Sequence, residues 1–390
     1  MDVLNVFATY GFDVADNSGL ELQWDLSTNT WYNGATALLS GYPGPANSGP
    51  GGIAAWKWNG NMVKTRILPS VQSSLSVGMN WGEFVALGSG TLPTWNQFLQ
   101  FAAPGQVVLA VEAQLDGTLI VLQGGTGATG SGAQLGRTGV IFSPGSWLAG
   151  YLELTAIGLG TTSTTWALYL NDALLLSGTA NTLSLGMPDR VNVCNQGVGG
   201  AGFNGVAFDN VYIGDTRLGP ARVTTLLPIS DAAGVWGAVP GPTRFSAVDD
   251  RFGDPSGYPD GDSSYISPTT GSQLFTVGAT DGTPSPCYGR VLGVMVNVCL
   301  SGSGSVDVIV VQQSTPTTVG TITATGGYHT RQVFVPLSLV SGTFWNDAEI
   351  NGTFWGLGNA SGVRVTQMFL EKVVSLRNVP YSCGGGSYSF

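Results

Sequence analysis

Residues 107–123 read VVLAVEAQLDGTLIVLQ. Successive side chains of an extended chain point to opposite faces, so Val111, Ala113 and Leu115 fall on one side and Glu112 and Gln114 on the other. Asp116–Gly117 breaks the alternation with a pair suited to the positive φ angles of a tight hairpin turn, and a second apolar run, TLIVLQ, follows at once. Strand, Asp-Gly and strand predict a β-hairpin.

The same pattern recurs outward from this hairpin. In LAGYLELTA (148–156), Leu152 and Leu154 alternate with Tyr151, Glu153 and Thr155. TWALYLNDALLLSG (165–178) turns inward Trp166, Leu168 and Leu170, and its Asn171–Asp172 pair predicts another turn. GVAFDNVYIG (205–214) closes the set. A second set reads RVLGVMVNVCL (290–300), SVDVIVVQQ (305–313), RQVFVPLSL (331–339) and GVRVTQMFLEKVVSL (362–376), separated by Gly/Ser/Thr turns. No long segment repeats apolar residues at helical spacing, and glycines interrupt nearly every window. The predicted class is all-β, with two tandem β-sandwich (jelly-roll) domains. The predicted boundaries are 1–218 for the first sandwich, 219–255 for a Pro/Gly-rich linker and 256–380 for a smaller second sandwich. Residues 381–390, YSCGGGSYSF, are expected as a flexible or docking tail.

Composition narrows the function. Only 10% of the 390 residues are charged, against roughly 25% in ordinary soluble domains. With so few charges the surface must be covered by Ser, Thr, Asn and Gln or by neighbouring subunits, and the second route predicts a homo-oligomer. The net charge is −10 and the lysines are Lys57, Lys64 and Lys372, so no basic cluster exists to displace counterions from nucleic acid. No apolar run reaches the roughly 18 residues of a membrane span. The opening MDVLNVFATYGF lacks a basic segment ahead of an apolar one and is read as carrying no export signal.

The residues able to do chemistry are sparse. His329, in GGYHTRQ, is the sole histidine, so one chain cannot form a two-histidine metal site; a Ser-His-Asp triad would have to be built on His329, and no G-x-S-x-G nucleophile elbow accompanies it. Cys194, Cys287, Cys299 and Cys383 fit no zinc spacing and read as buried thiols. Glu21/Asp25 and Glu112/Asp116 share a spacing that puts both carboxylates on one face of a strand, although Asp116 is also the first residue of a turn. Asp260 and Asp262, in PDGD with Asp254 nearby, are candidate Ca²⁺ ligands, as is Asp209 with Asn210; turn chemistry accounts for the same residues. Trp56 and Trp58, in WKW, lie on one side of an extended segment and are candidate sugar-stacking residues, though aromatics of this kind also fill sandwich cores. No catalytic residue and no resident cofactor is assigned.

Residues 107–214 resemble a laminin-G/concanavalin-like jelly roll: the Asp-Gly hairpin, the Trp147–Leu154 strand, the Asn-Asp hairpin at 166–177 and the closing FDNVYIG (208–214) come in that order. YGFDVADNSGLELQW (10–24) and SLSVGMNW (74–81) are similar to the opening of tailed-bacteriophage virion proteins, and PDGDSSYISPTTGSQLFTV (259–277) to a later segment of the same group. The resemblance implies a structural virion component: a head decoration, neck, tail or fibre/spike protein. It would assemble in the host cytoplasm and sit at the virion surface against other virion proteins, as a homo-oligomer with a trimer favoured. Host-surface glycan is the implied external partner. The alternatives are a lectin-like carbohydrate-binding module and a glycan-degrading enzyme. The E-x-D-x-E array of jelly-roll glucanases is missing from the sequence.

Overall fold

The computed structural model describes residues 5–10, 26–28, 55–57, 62–85, 95–125, 132–143, 147–197, 204–234, 236–239, 243–249, 263–269, 271–279 and 290–376. The chain is all-β and divides into two compact units, Leu4–Leu218 and Gly219–Phe390. No helix among the described residues is long and apolar enough to cross a membrane.

The first unit is a sandwich of two antiparallel sheets. One runs β1 (Val6–Tyr10), β14 (Asn204–Gly214), β5 (Ser74–Val85), β10 (Trp147–Ile157), β11 (Thr164–Leu170) and β12 (Ala173–Ala180), with β3 (Ala55–Lys57) also on β14. The other runs β2 (Leu26–Thr28), β4 (Met62–Ile67), β13 (Arg190–Gly197), β6 (Trp95–Ala103), β7 (Gln106–Gln114), β8 (Leu119–Gln123) and β9 (Ala133–Arg137). The expected hairpin is β7–β8, with Val111 and Ala113 in the core and Leu115 in the turn rather than on the strand. Gly117 holds φ +79°, and a Cβ there would lie 2.2 Å from the Phe142 carbonyl oxygen, so the turn requires glycine. Asn171 and Asp172 likewise take positive φ and join β11 to β12.

Alternate residues of both sheets meet in one core: Val77, Met79, Leu152, Leu154 and Ile213 from the first, Phe101, Leu109, Val121 and Val193 from the second. Trp81 is fully buried, stacks on Phe98 at 4.4 Å and meets Phe142 edge-on at 5.3 Å. Such aromatic pairs add about 0.5–1.5 kcal/mol beyond the area they remove from water.

The second unit is one sheet that doubles over its own core. Its order is β16 (Gly237–Val239), β17 (Tyr265–Ser267), β24 (Val363–Ser375), β15 (Ala221–Ala233), β18 (Ser272–Ala279), β23 (Phe354–Gly358), β20 (Ser305–Gln312) and β21 (Thr315–Thr323). On β24 a second branch adds β19 (Arg290–Gly302) and β22 (Gly326–Val335). Val294, Val296 and Val298 of β19 share a cluster with Val306, Val308 and Val310 of β20 and with Trp355, so the two arms face each other across a common core. The one α-helix of the described residues, α1 (Asp347–Asn351), is held by a capping box between Asn346 and Glu349.

One expectation is corrected. Residues 219–255 were predicted as a linker, yet Ala221–Ala233 is a thirteen-residue strand paired to both β18 and β24. Pro228 disguises it. The register against β18 shifts between Pro228 and Ser230, and a bulge is where a strand tolerates a residue that donates no hydrogen bond. The second sandwich therefore begins at Gly219, not at 256. The tail 381–390 lies outside the described residues.

Candidate functional site

The face of the second jelly-roll sheet turned away from the main core carries a continuous row of polar side chains. Val107, Ala110, Ile120 and Leu122 form a separate small cluster on that face. Beside them, Thr65 on β4 donates its hydroxyl to Asn192 Oδ1 on β13 (2.8 Å), and Asn192 Nδ2 donates to Gln100 Oε1 on β6 (2.9 Å). Gln100 Nε2 donates to Gln97 Oε1 (2.9 Å), and Gln97 Nε2 donates to Glu112 Oε2 on β7 (3.3 Å). Gln114 Nε2 donates to the other carboxylate oxygen, at 2.5 Å.

Gln97 and Gln100 are three apart, a spacing that puts two residues of a regular strand on opposite faces. The register of β6 against β7 shifts between Gln97 and Leu99, and this bulge returns Gln97 to the face of Gln100 while Phe98 and Leu99 both enter the core. The direction of the row follows from its end. A carboxylate only accepts, so Gln97 must turn its N–H toward Glu112 and its oxygen toward Gln100, and the requirement passes on to Asn192 and Thr65. These five residues from Thr65 to Glu112 are 1–9% exposed. Burial pushes the Glu112 carboxyl above its ordinary value, against the opposing pull of the Gln97 and Gln114 amides.

Asp116 has different partners. Its carboxylate accepts from the Thr118 backbone N–H (3.2 Å) and hydroxyl (2.7 Å) and pairs with Arg137 at the surface. The Thr118 hydrogen bonds, the largest effect, and Arg137 together hold it below the usual range. Glu112 and Asp116 are thus each bonded within their own local set.

The second unit repeats the device on the strand faces opposite Val296 and Val298. Gln332 Nε2 donates to Asn297 Oδ1 (2.6 Å), and Asn297 Nδ2 donates to Glu371 Oε2 (3.2 Å), crossing from β22 through β19 to β24.

A third buried cluster lies on the outer side of the other jelly-roll sheet. Tyr212 donates its hydroxyl to Glu153 and accepts the Leu218 backbone N–H at 3.0 Å. Glu153 also pairs with Arg217 at 3.0 Å, and Arg217 reaches Asp172 and lies 3.7 Å from the Tyr169 ring centre. Tyr151 donates to the Asn210 carbonyl at 2.7 Å, its ring parallel to that of Tyr212 with centroids 6.5 Å apart. Both rings pass over Gly78, where a Cβ would lie 2.4 Å from Tyr212 and 2.6 Å from Tyr151. Burial drives both hydroxyls well above their ordinary value, so neither supplies a phenolate base. The cluster is a clamp.

The remaining candidates divide by location. Asp209 accepts from the Asn210 backbone N–H (2.7 Å) at a register shift of β14, where Asn210 takes φ +51° and donates its amide to Asn80; the two residues form a bulge within a strand that is paired on both sides. Trp56 lies on β3 opposite Ala207, with its side chain outside the described part, and Trp58 lies outside the described residues altogether. Glu21, Asp25, Asp254, Asp260, Asp262, Cys287 and Cys383 also lie outside them. Among the described residues no group of three His, Cys, Asp or Glu is placed to hold a metal ion. Cys194 and Cys299 are buried and in no disulfide. His329 sits within β22 opposite Leu300.

One open groove of about 750 Å³ does occur, in the second unit. It is bordered by Tyr265 and Ser267 of β17, by the β19–β20 turn, by Gly326–Tyr328 and by Gly362–Arg364. Sequence reading did not find it, because its walls come from four separated turns and strand ends.

No family model matches the chain, and no curated protein matches it. Among solved structures, a carbohydrate esterase of the Shiga toxin-encoding bacteriophage phi24B is similar over 55% of this chain and 100% of its own, at 11% identity and TM-score 0.35. An endo-β-1,4-glucuronan lyase of the fungus Trichoderma reesei is similar over 51% and 98%, at 13% identity and TM-score 0.31. A carbohydrate-binding module from Bacillus subtilis is similar over 42% and 86%, at 9% identity and TM-score 0.27.

Proposed function

We propose that the chain is a non-catalytic structural subunit of a tailed-bacteriophage virion. It sits at the particle surface as a homo-oligomer, a trimer by preference, and works through assembly contacts and adhesion to host glycan. The observation that carries the non-catalytic part is the bonding of Glu112. Both oxygens of the best-placed carboxylate are taken by amides, while Asp116 is engaged by Thr118 and Arg137. A glycosidase needs two carboxyl groups across one scissile bond, one of them unoccupied enough to meet the sugar. The particle assignment rests on the resemblance of residues 10–24 and 259–277, and the low charge suits a subunit covered by neighbours.

The test is made on particles. Antibody raised against the purified chain should decorate purified virions of the source phage at a fixed position in negative-stain micrographs. Finding the chain only in the particle-free lysate would overturn the assignment. The second reading, a lectin-like module, is favoured by the groove of the second unit, which presents two tyrosines and an arginine.

A further inference from the structure

We propose that β12 is the contact through which two copies of this chain pair, edge to edge across a two-fold axis, so that the sheet ending in β12 continues from one copy into the other. The contact is independent of the particle assignment. A trimer built on another surface would be doubled by it.

The free edge comes first. Among the described residues β12 is the last strand of its sheet and pairs with β11 alone. β9, at the rim of the other sheet, packs against it without pairing: a Cβ on Gly136 would lie 3.5 Å from Leu176. The outer row of β12 backbone N–H and C=O groups is thus open to another strand, a feature that folded proteins ordinarily blunt. The second unit does blunt its edges. β16 is three residues long, β21 carries Pro316, and β22 carries His329 and Arg331. β12, ALLLSGTA, has eight residues, about 27 Å of strand, with neither charge nor proline. Asp172, in the turn before it, is paired with Arg217.

Its register comes second. The pairing with β11 shifts at Leu175, so the regular run is Leu176–Ala180. Where a sheet continues through a two-fold axis, one residue stands opposite its own copy, because facing residues must project to the same side. The middle of the run is Gly178. A Cβ there would lie 3.0 Å from the Trp166 ring, so its inner side is filled and the axis meets no side chain. Centred on Gly178, the pairing sets Ser177 against Thr179 of the second copy and Leu176 against Ala180, twice each.

Its side chains come third. Ser177 and Thr179 are small and exposed. Facing hydroxyls on neighbouring strands bond to each other, and no like charges meet. A strand from a foreign protein is selected by pockets that take its alternate side chains. A flat, uncharged, hydroxyl-bearing edge selects nothing of that kind and matches its own copy.

The experiment uses the full chain and compares masses by size exclusion with light scattering at micromolar concentration. Two double variants carry like charges at the facing positions: S177K with T179K, and S177E with T179E. The wild type should weigh twice what either variant weighs, and an equimolar mixture of the two variants should recover the wild-type mass, because lysine then faces glutamate. Both positions are exposed, so the variants should melt with the wild type when all are dilute. A second measurement needs no variant. In wild-type chain, hydrogen-exchange protection of 176–180 should rise with protein concentration while that of β10 stays constant. Equal masses of wild type and variants, a ratio of three or more, a mixture that stays at the variant mass, or protection of 176–180 that ignores concentration would each overturn the proposal. None of these outcomes bears on whether the chain is found on virions.

Discussion

Gln97 donates its side-chain amide to Glu112 across paired strands, at 3.3 Å, and that contact fixes the direction of every hydrogen bond from Glu112 back to Thr65. Thr65 and Glu112 stand on β4 and β7, three strand intervals apart, or about 14 Å at the usual inter-strand spacing.

The Glu112 carboxyl should give stability a recognisable pH dependence. Its folded value is raised, so the protonated form is the one the fold favours. Its contribution is fully present below the unfolded value and is lost as pH rises through the folded one. Glu112→Gln removes this dependence. The melting temperature of the variant relative to wild type should therefore rise from about pH 4 to about pH 7. A difference that stays flat across that range would contradict the role given to burial.

Removing the Tyr212 hydroxyl leaves a buried carboxylate short of a donor and a buried N–H short of an acceptor. Tyr212→Phe should cost about 1–3 kcal/mol in urea unfolding. Arg217→Ala, which takes the ionic partner from Glu153, should cost about 3–5 kcal/mol. If both variants unfold with the wild type, the clamp holds nothing.

Gly78→Ala tests the same place from below. A methyl group would meet both tyrosine rings within 2.6 Å, so the rings or the strand must move. The expected cost is about 1–3 kcal/mol, with broadened resonances of Tyr151 and Tyr212 in NMR spectra of the folded protein.

Gly117→Ala should loosen the β7–β8 hairpin. The position combines φ +79° with a backbone oxygen 2.2 Å from the new carbon, and a loss of about 1–3 kcal/mol is expected by thermal melting. Wild-type stability in this variant would mean that the turn has another shape.

Cys194 and Cys299 should resist alkylation in the native chain. Both are buried and in no disulfide, and burial pushes the Cys194 thiol far above its ordinary value. Mass spectrometry after brief iodoacetamide treatment should find both peptides unmodified until denaturant is added.

The hairpins were legible because their signals are local. Asp116–Gly117 and Asn171–Asp172 sit between alternating runs, and turn chemistry and alternation agree there. β15 was hidden because Pro228 is a breaker by composition and a bulge residue in fact. The polar row was hidden for a related reason. Gln97, Gln100 and Asn192 read as surface residues, and the bulge at Phe98 reverses the face that simple alternation gives to Gln97. The groove gathers residues 265, 302, 327 and 364, which no window of sequence brings together. The carboxylate pair Glu112/Asp116 was visible as a pair, but the different environments of its members were not.

A row of amides with a fixed direction also proofreads the sheet that carries it. If β6 slid by one residue against β7, Gln97 and Gln100 would turn into the space of Phe98 and Leu99, and Glu112 would lose its donors. An apolar face accepts many such slips at little cost; a vectorial one accepts a single alignment. The row thus makes wrong pairings unstable, a safeguard for a sheet whose seven strands are gathered from residues 26 to 197.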